Sequence, residues 1–223
     1  EPNNGVRLTM YYYCATPPCA AAPHFAYNYT EQAECGTAGG LNYNWCMTEG
    51  IANATYRGFN YPHQIATYYA LYRVARNHPK IKTRMSWEWY LERSANTTAR
   101  LGFARIGYMD GTVTREVLRS VLEENATAAS AASAPSSSGL GSRWDAIGSA
   151  ILRGAQGRAE NYQRAQYPWG SELSYDTTGQ EEIVVWLLYF GFDQAAKRTV
   201  DHILSYMRSL PNWAYMGGAS AGD

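Results

Sequence analysis

From about residue 61 onward, apolar side chains return every three or four positions; before it they do not. Ile65, Tyr68, Tyr69, Tyr72 and Ala75 fall on one helical face, and Pro62 stands where a first helical turn needs no N–H donor. A helix is therefore expected from Tyr61 to about Asn77, stopping before Pro79, because the residue ahead of a proline disfavours helical backbone. A second helix is expected over about 83–105, with Trp87, Leu91, Ser94, Ala95, Thr98, Leu101 and Gly102 inward and Asn96 off that stripe. Trp87 and Trp89 are two apart, so a helix cannot point both at one core. After a turn at 107–111, Val113, Val117, Val121 and Leu122 mark a third helix over 112–124. Trp144, Ile147, Ile151 and Ala155 mark a fourth over 143–166, with glycines 148, 154 and 157 allowing close helix approach. A fifth, 179–190, is apolar on every side after its acidic first turn and should be buried on most of them. Asp193 opens a sixth, which ends before Pro211.

The first 60 residues are rich in Gly, Pro, Asn, Tyr and Cys. They suggest an irregular, disulfide-containing segment packed on the helical domain 61–223, with a short strand near Arg7–Tyr13. Residues 125–142, almost all Ala, Ser, Gly and Thr, bury too little apolar surface to order themselves and are expected to form a flexible insertion. The fold class is then all-α, built from antiparallel helical hairpins. Alternating helix directions bring the loops entering the first, third and fifth helices, and the loop leaving the sixth, to one end.

That end collects the candidate chemistry. Tyr167–Glu182, YPWGSELSYDTTGQEE, holds four carboxylates, two tyrosines and a tryptophan in sixteen residues. Pro168 and Gly170 keep its first part out of a helix. Thr178 stands three before Glu181, the spacing of a capping box at a helix start. Glu172 and Asp176, beside Trp169 and Tyr175, are the first candidates for a catalytic pair, since glycoside hydrolysis uses one carboxyl as acid and one as base or nucleophile. Each has a structural alternative: Asp176 as a turn former, Glu172 as a partner of Arg164. Glu181 is the third catalytic candidate, with the capping box as its structural reading; Glu182 suits the positive end of the helix. The same end should offer Tyr61, His63, Asp110, Gln180, Trp213 and Tyr215 as substrate-binding groups.

The run YPWGSELSYDTTGQEE, with the later NWAYMGG, resembles a secreted, largely uncharacterised family of fungal and bacterial proteins with six-hairpin glycosidase-like α/α-toroid domains. The resemblance spans roughly residues 60–218. It implies a partial toroid, about half of a complete domain, with a cleft over the inner-helix N-termini. The missing half, or another copy of the chain, would complete it.

Composition narrows the function classes. Lys+Arg and Asp+Glu are 19 each, so no cationic excess suits a nucleic-acid backbone. No apolar run approaches a membrane span and no charged-then-apolar leader opens the chain, so neither a nucleic acid nor a membrane is an expected partner, and the chain reads as a mature soluble one. Cys14, Cys19, Cys35 and Cys46 all lie in the first fifth of the chain. Two disulfides are expected, in any of three connectivities, with proximity favouring Cys14–Cys19 and Cys35–Cys46. They lack the spacing of a zinc site, so no metal or cofactor is expected. Sequons at Asn28, Asn53, Asn96 and Asn125 point to N-linked glycans and secretion. The 19 tyrosines and 7 tryptophans suit stacking on sugar faces. The expectation is a secreted glycoside hydrolase acting on a polysaccharide or glycan. The alternatives are a polysaccharide lyase, with His63 and Tyr175 serving, and a non-catalytic glycan-binding or cell-wall structural glycoprotein.

Overall fold

A computed structural model describes residues 4–9, 12–13, 26–27, 49–104, 106–131, 140–165 and 179–207. The chain divides into two compact units, residues 1–60 and 61–223.

In the first unit, strands β1 (Tyr12–Tyr13) and β2 (Ala26–Tyr27) pair in parallel, and helix α1 spans Glu49–Ala52. Leu8 donates its backbone N–H to the Ala54 carbonyl. The Asn60 amide donates to the carbonyls of Arg7 and Leu8, both at 2.7 Å. That side chain ties the start of this unit to its end. The four cysteines and Asn28 lie outside the described residues.

The second unit is all-α. Its helices are α2 (Asn60–Asn77, its first residue in the first unit), α3 (Trp87–Arg100), α4 (Gly111–Ala131), α5 (Leu140–Arg164), α6 (Gln180–Tyr189) and α7 (Asp193–Met207). Ser86 caps α3 by accepting the Trp89 N–H, and a 3-10 turn, Leu101–Phe103, follows it. The two tryptophans of α3 are both half-buried: Trp87 meets Tyr72 and Trp89 meets Tyr68 edge-on. Ile65 pairs with Ser94, Tyr68 with Trp89 and Tyr72 with Trp87, so α2 and α3 run antiparallel. Tyr69 meets Ser120 and Tyr72 meets Glu124, so α2 and α4 run parallel. The N-termini of α2 and α4 therefore share an end.

The α2–α4 seam is more polar than the hydrophobic pattern implies. Glu124, 9% exposed, accepts from Tyr72 and from Arg76. Burial, then the Glu124 charge, pushes the Tyr72 hydroxyl up to about 12, so it stays a hydrogen-bond donor at any ordinary pH.

The core follows the expected stripes: Leu91, Ser94, Ala95, Thr98 and Leu101 on α3 and the turn after it, Val117 and Val121 on α4, Trp144, Ile147, Ile151 and Ala155 on α5, all buried. At Gly154, a methyl group would meet the Gly102 Cα at 3.2 Å. The turn after α3 and helix α5 thus pass closely at Gly154, as expected there, whereas Gly157 has nothing within 4 Å.

Three expectations change. Residues 125–131 continue α4 rather than opening a loose insertion, because alanine is the strongest helix former and a helix already in progress needs no new nucleus. Leu122 is 39% exposed, one position past the Val121 stripe. On α6 only one side is buried, through Ile183, Trp186 and Leu187, while Leu188 and Tyr189 are 55% and 43% exposed. Two of the sequon asparagines, Asn96 and Asn125, lie within helices and are half-buried; Asn53, in the first unit, is exposed.

Candidate functional site

The shared end of α2, α4 and α6 is built around the loop 104–111. This loop enters α4 and makes its closest approach to the start of α6. A Cβ on Gly107 would lie 2.2 Å from the Gly179 carbonyl, and one on Gly111 would lie 2.3 Å from the Glu182 Cα. Only glycine lets the two backbones meet this closely.

A buried ion pair holds the loop from below. Arg158 on α5 and Glu182 on α6, with side chains 4% and 3% exposed, meet at 2.6 Å. The guanidinium also donates to the carbonyls of Ala104, at 2.6 Å, and Ile106, at 3.1 Å. The Glu182 carboxylate accepts from the Tyr108 backbone N–H at 2.6 Å and from the Trp186 indole at 3.1 Å. Tyr162 adds a bond from its hydroxyl to the Ile106 carbonyl. Burial, the largest single influence, lowers the Arg158 pKa, but the Glu182 charge and hydrogen bonds together with Tyr162 and Tyr108 outweigh it, and the guanidinium is held more firmly protonated than usual. The pair is tolerable in the interior because its donors and acceptors are matched. Beside it lies a cavity of about 20 Å³ lined by Thr98, Thr114, Arg158, Glu182 and Trp186 among others. It has room for about one water molecule, and the ion pair beside it is engaged in supporting the loop.

Glu181 works from the other side. Its two oxygens accept the backbone N–H groups of Gly111, at 2.6 Å, and Thr112, at 2.8 Å. These are free donors of the first turn of α4. Thr178, the expected capping-box partner, lies outside the described residues; Gly179 is the N-cap of α6 and makes no side-chain cap bond, and Glu181 caps the neighbouring helix α4.

Asp110 immediately precedes Gly111 and feels the charges of both glutamates. Its φ of 79° is left-handed, a region that aspartate tolerates better than most residues but that remains uncommon. Burial raises its pKa; the His63 charge lowers it, and those of Glu181 and Glu182 raise it again, with an upward net result. Among the described residues no hydrogen bond or ion pair ties its carboxylate. His63, in the first turn of α2, is exposed and faces the same group electrostatically.

His63, Asp110, Glu181 and Glu182 are thus brought together. Tyr61 and Gln180, at 0% and 2% exposed, belong to the core and offer no surface to a ligand. Trp169, Glu172, Tyr175, Asp176, Trp213 and Tyr215 lie outside the described residues. Sequence reasoning did not single out Arg158. Its signal was its place on the stripe Ile151, Ala155, Arg158, Ala159 and Tyr162, all buried: an arginine in register with a core face needs an acid partner.

No curated protein and no solved structure matches the chain. The sequence matches a family of unknown function, DUF5695, over residues 1–221, and the chain belongs to that family.

Proposed function

We propose that the chain is a secreted carbohydrate-active protein that hydrolyses a glycosidic bond in a polysaccharide or glycan. Its scaffold would be part of an α/α toroid, completed by further helices or by a second copy. The observation that carries this reading is Asp110: a partly buried carboxyl of raised pKa, free of internal hydrogen bonds among the described residues, at a rim of helix N-termini beside His63.

An acid catalyst must keep its proton until the leaving oxygen takes it, so a raised pKa suits it. Asp110 donates that proton to the glycosidic oxygen as the C–O bond breaks. Glu172 or Asp176 supplies the second carboxylate, either removing a proton from the attacking water or attacking the sugar carbon itself. Glu181, also a candidate from the sequence, has both oxygens engaged in capping α4, which favours a positioning role. His63 binds a sugar hydroxyl or tunes Asp110.

A screen of neutral and acidic polysaccharides tests the reading, using wild type, Glu172→Gln and Asp176→Asn. Release of reducing ends by wild type, abolished by one of the two changes, supports hydrolysis. Glycans retained without any product from wild type would leave a binding or cell-wall protein, and an unsaturated uronate product would mark a lyase.

A further inference from the structure

The end of the array remote from the rim carries a basic face. From residue 50 to residue 87 the chain contains no Asp or Glu, although it is neutral as a whole. Within that stretch the connection between α2 and α3 reads His78-Pro79-Lys80-Ile81-Lys82-Thr83-Arg84-Met85-Ser86. Lys80, Lys82 and Arg84 are all exposed, and none forms an ion pair among the described residues. Of the nearby acids, Glu124 is bonded to Arg76 and Tyr72, and half-buried Glu88, in the first turn of α3, is a single carboxylate against three exposed cations.

Between the cations stand Ile81, 54% exposed, and Met85, 38% exposed. The connection holds them out by defined bonds. Ile81 donates its N–H to the His78 carbonyl, Thr83 donates its hydroxyl to the Met85 carbonyl, and the Met85 N–H donates to the Tyr90 hydroxyl. Half-buried Trp87 follows, with Arg76 lying 4.9 Å from its ring centre.

We infer that this connection is a peripheral contact for an anionic lipid bilayer, with Lys80, Lys82 and Arg84 meeting headgroups and Ile81 and Met85 entering the interface. Cations alone would suit any polyanion. Aliphatic side chains held out between them add what only a lipid surface rewards, since sugars are gripped by rings and hydrogen bonds. A surface contact of this kind needs no spanning helix, and no helix among the described residues is long and apolar enough to cross a membrane. Because α2 has its N-terminus at the rim and its C-terminus at this connection, a bound bilayer lies one helix length, about 25 Å, from Asp110. The rim then stays open to solvent. The inference does not depend on the reaction proposed for the rim.

Flotation of the full chain with vesicles tests it. Wild type is expected to float with mixed phosphatidylcholine–phosphatidylglycerol vesicles, not with phosphatidylcholine alone, and to be released by salt. The triple change Lys80→Gln, Lys82→Gln, Arg84→Gln should weaken binding on the order of a hundredfold. Ile81→Ser with Met85→Ser should weaken it about tenfold, while leaving any retention on a soluble acidic polysaccharide unchanged. All the substituted side chains are exposed, and far-ultraviolet circular dichroism confirms that the variants fold. Failure of wild type to float with phosphatidylglycerol vesicles overturns the inference. So does flotation that the Ile81 and Met85 changes leave intact, which would reassign the face to a soluble polyanion.

Discussion

Glu181 Oε2 lies 2.6 Å from the backbone nitrogen of Gly111, so the first turn of α6 caps the first turn of α4 across 70 residues of sequence. A carboxylate accepting N–H groups at a helix start gains from both the charge-assisted bonds and the helix dipole. Glu181→Ala should therefore destabilise the protein by about 1–2 kcal/mol, read as a lower urea midpoint with an unchanged slope. Glu181→Gln should recover part of the loss, since one carbonyl oxygen remains.

The Arg158–Glu182 pair should behave as a unit. Removing one partner leaves a buried charge alone, so Arg158→Met and Glu182→Gln should each cost about 3–5 kcal/mol. Arg158→Met with Glu182→Leu should cost clearly less than the sum of the two single losses. It will not be neutral, because the carbonyls of Ala104 and Ile106 and the Tyr108 N–H lose their partners. Additive losses in a double-mutant cycle would contradict the coupling.

Gly111→Ala should be among the most damaging small changes. Its methyl would meet the Glu182 Cα, a backbone atom that cannot swing aside. Either the cap or the loop must open. Thermal denaturation should show a much larger loss than Gly157→Ala, where nothing stands within 4 Å.

Asp110 should cost stability where it is ionised. Its folded pKa is raised, so the folded state holds the proton more tightly than the unfolded chain. Its contribution is fully present below the ordinary aspartate value of roughly 4 and is lost as pH rises through the folded pKa. Asp110→Asn keeps a side chain that tolerates left-handed backbone but cannot ionise. Relative to wild type it should become more stable as pH rises from acid to neutral, by denaturation at matched pH. Asp110→Ala, which strains the same φ, should lose about 1 kcal/mol against Asp110→Gly.

The helices were legible because burial leaves a periodic trace. Trp144, Ile147, Ile151 and Ala155 could be read as one face without knowing what they meet. Glu181 was not legible: the capping-box spacing is local, whereas its true partners lie on another helix. The start of the alanine-rich run, 125–131, carries no apolar stripe and so reads as loose, although backbone propensity extends α4 through it to Ala131; residues 132–139 lie outside the described residues. Arg158 and Glu124 share a lesson. Each occupies a core register, and a charged residue there announces a buried partner that the pattern cannot name. The gathering of His63 and Asp110 was legible from helix direction, but the pressure on Asp110 was not, since burial and the nearness of Glu181 and Glu182 arise only on folding.

The central claim, that Asp110 gives its proton to a departing glycosidic oxygen, is tested most directly by product release from a cleaved glycan with wild type and Asp110→Asn side by side. The account predicts turnover by wild type that falls at least a hundredfold in the variant, with the variant folded and still retained by the same glycan. A folded Asp110→Asn variant that cleaves at the wild-type rate would contradict it.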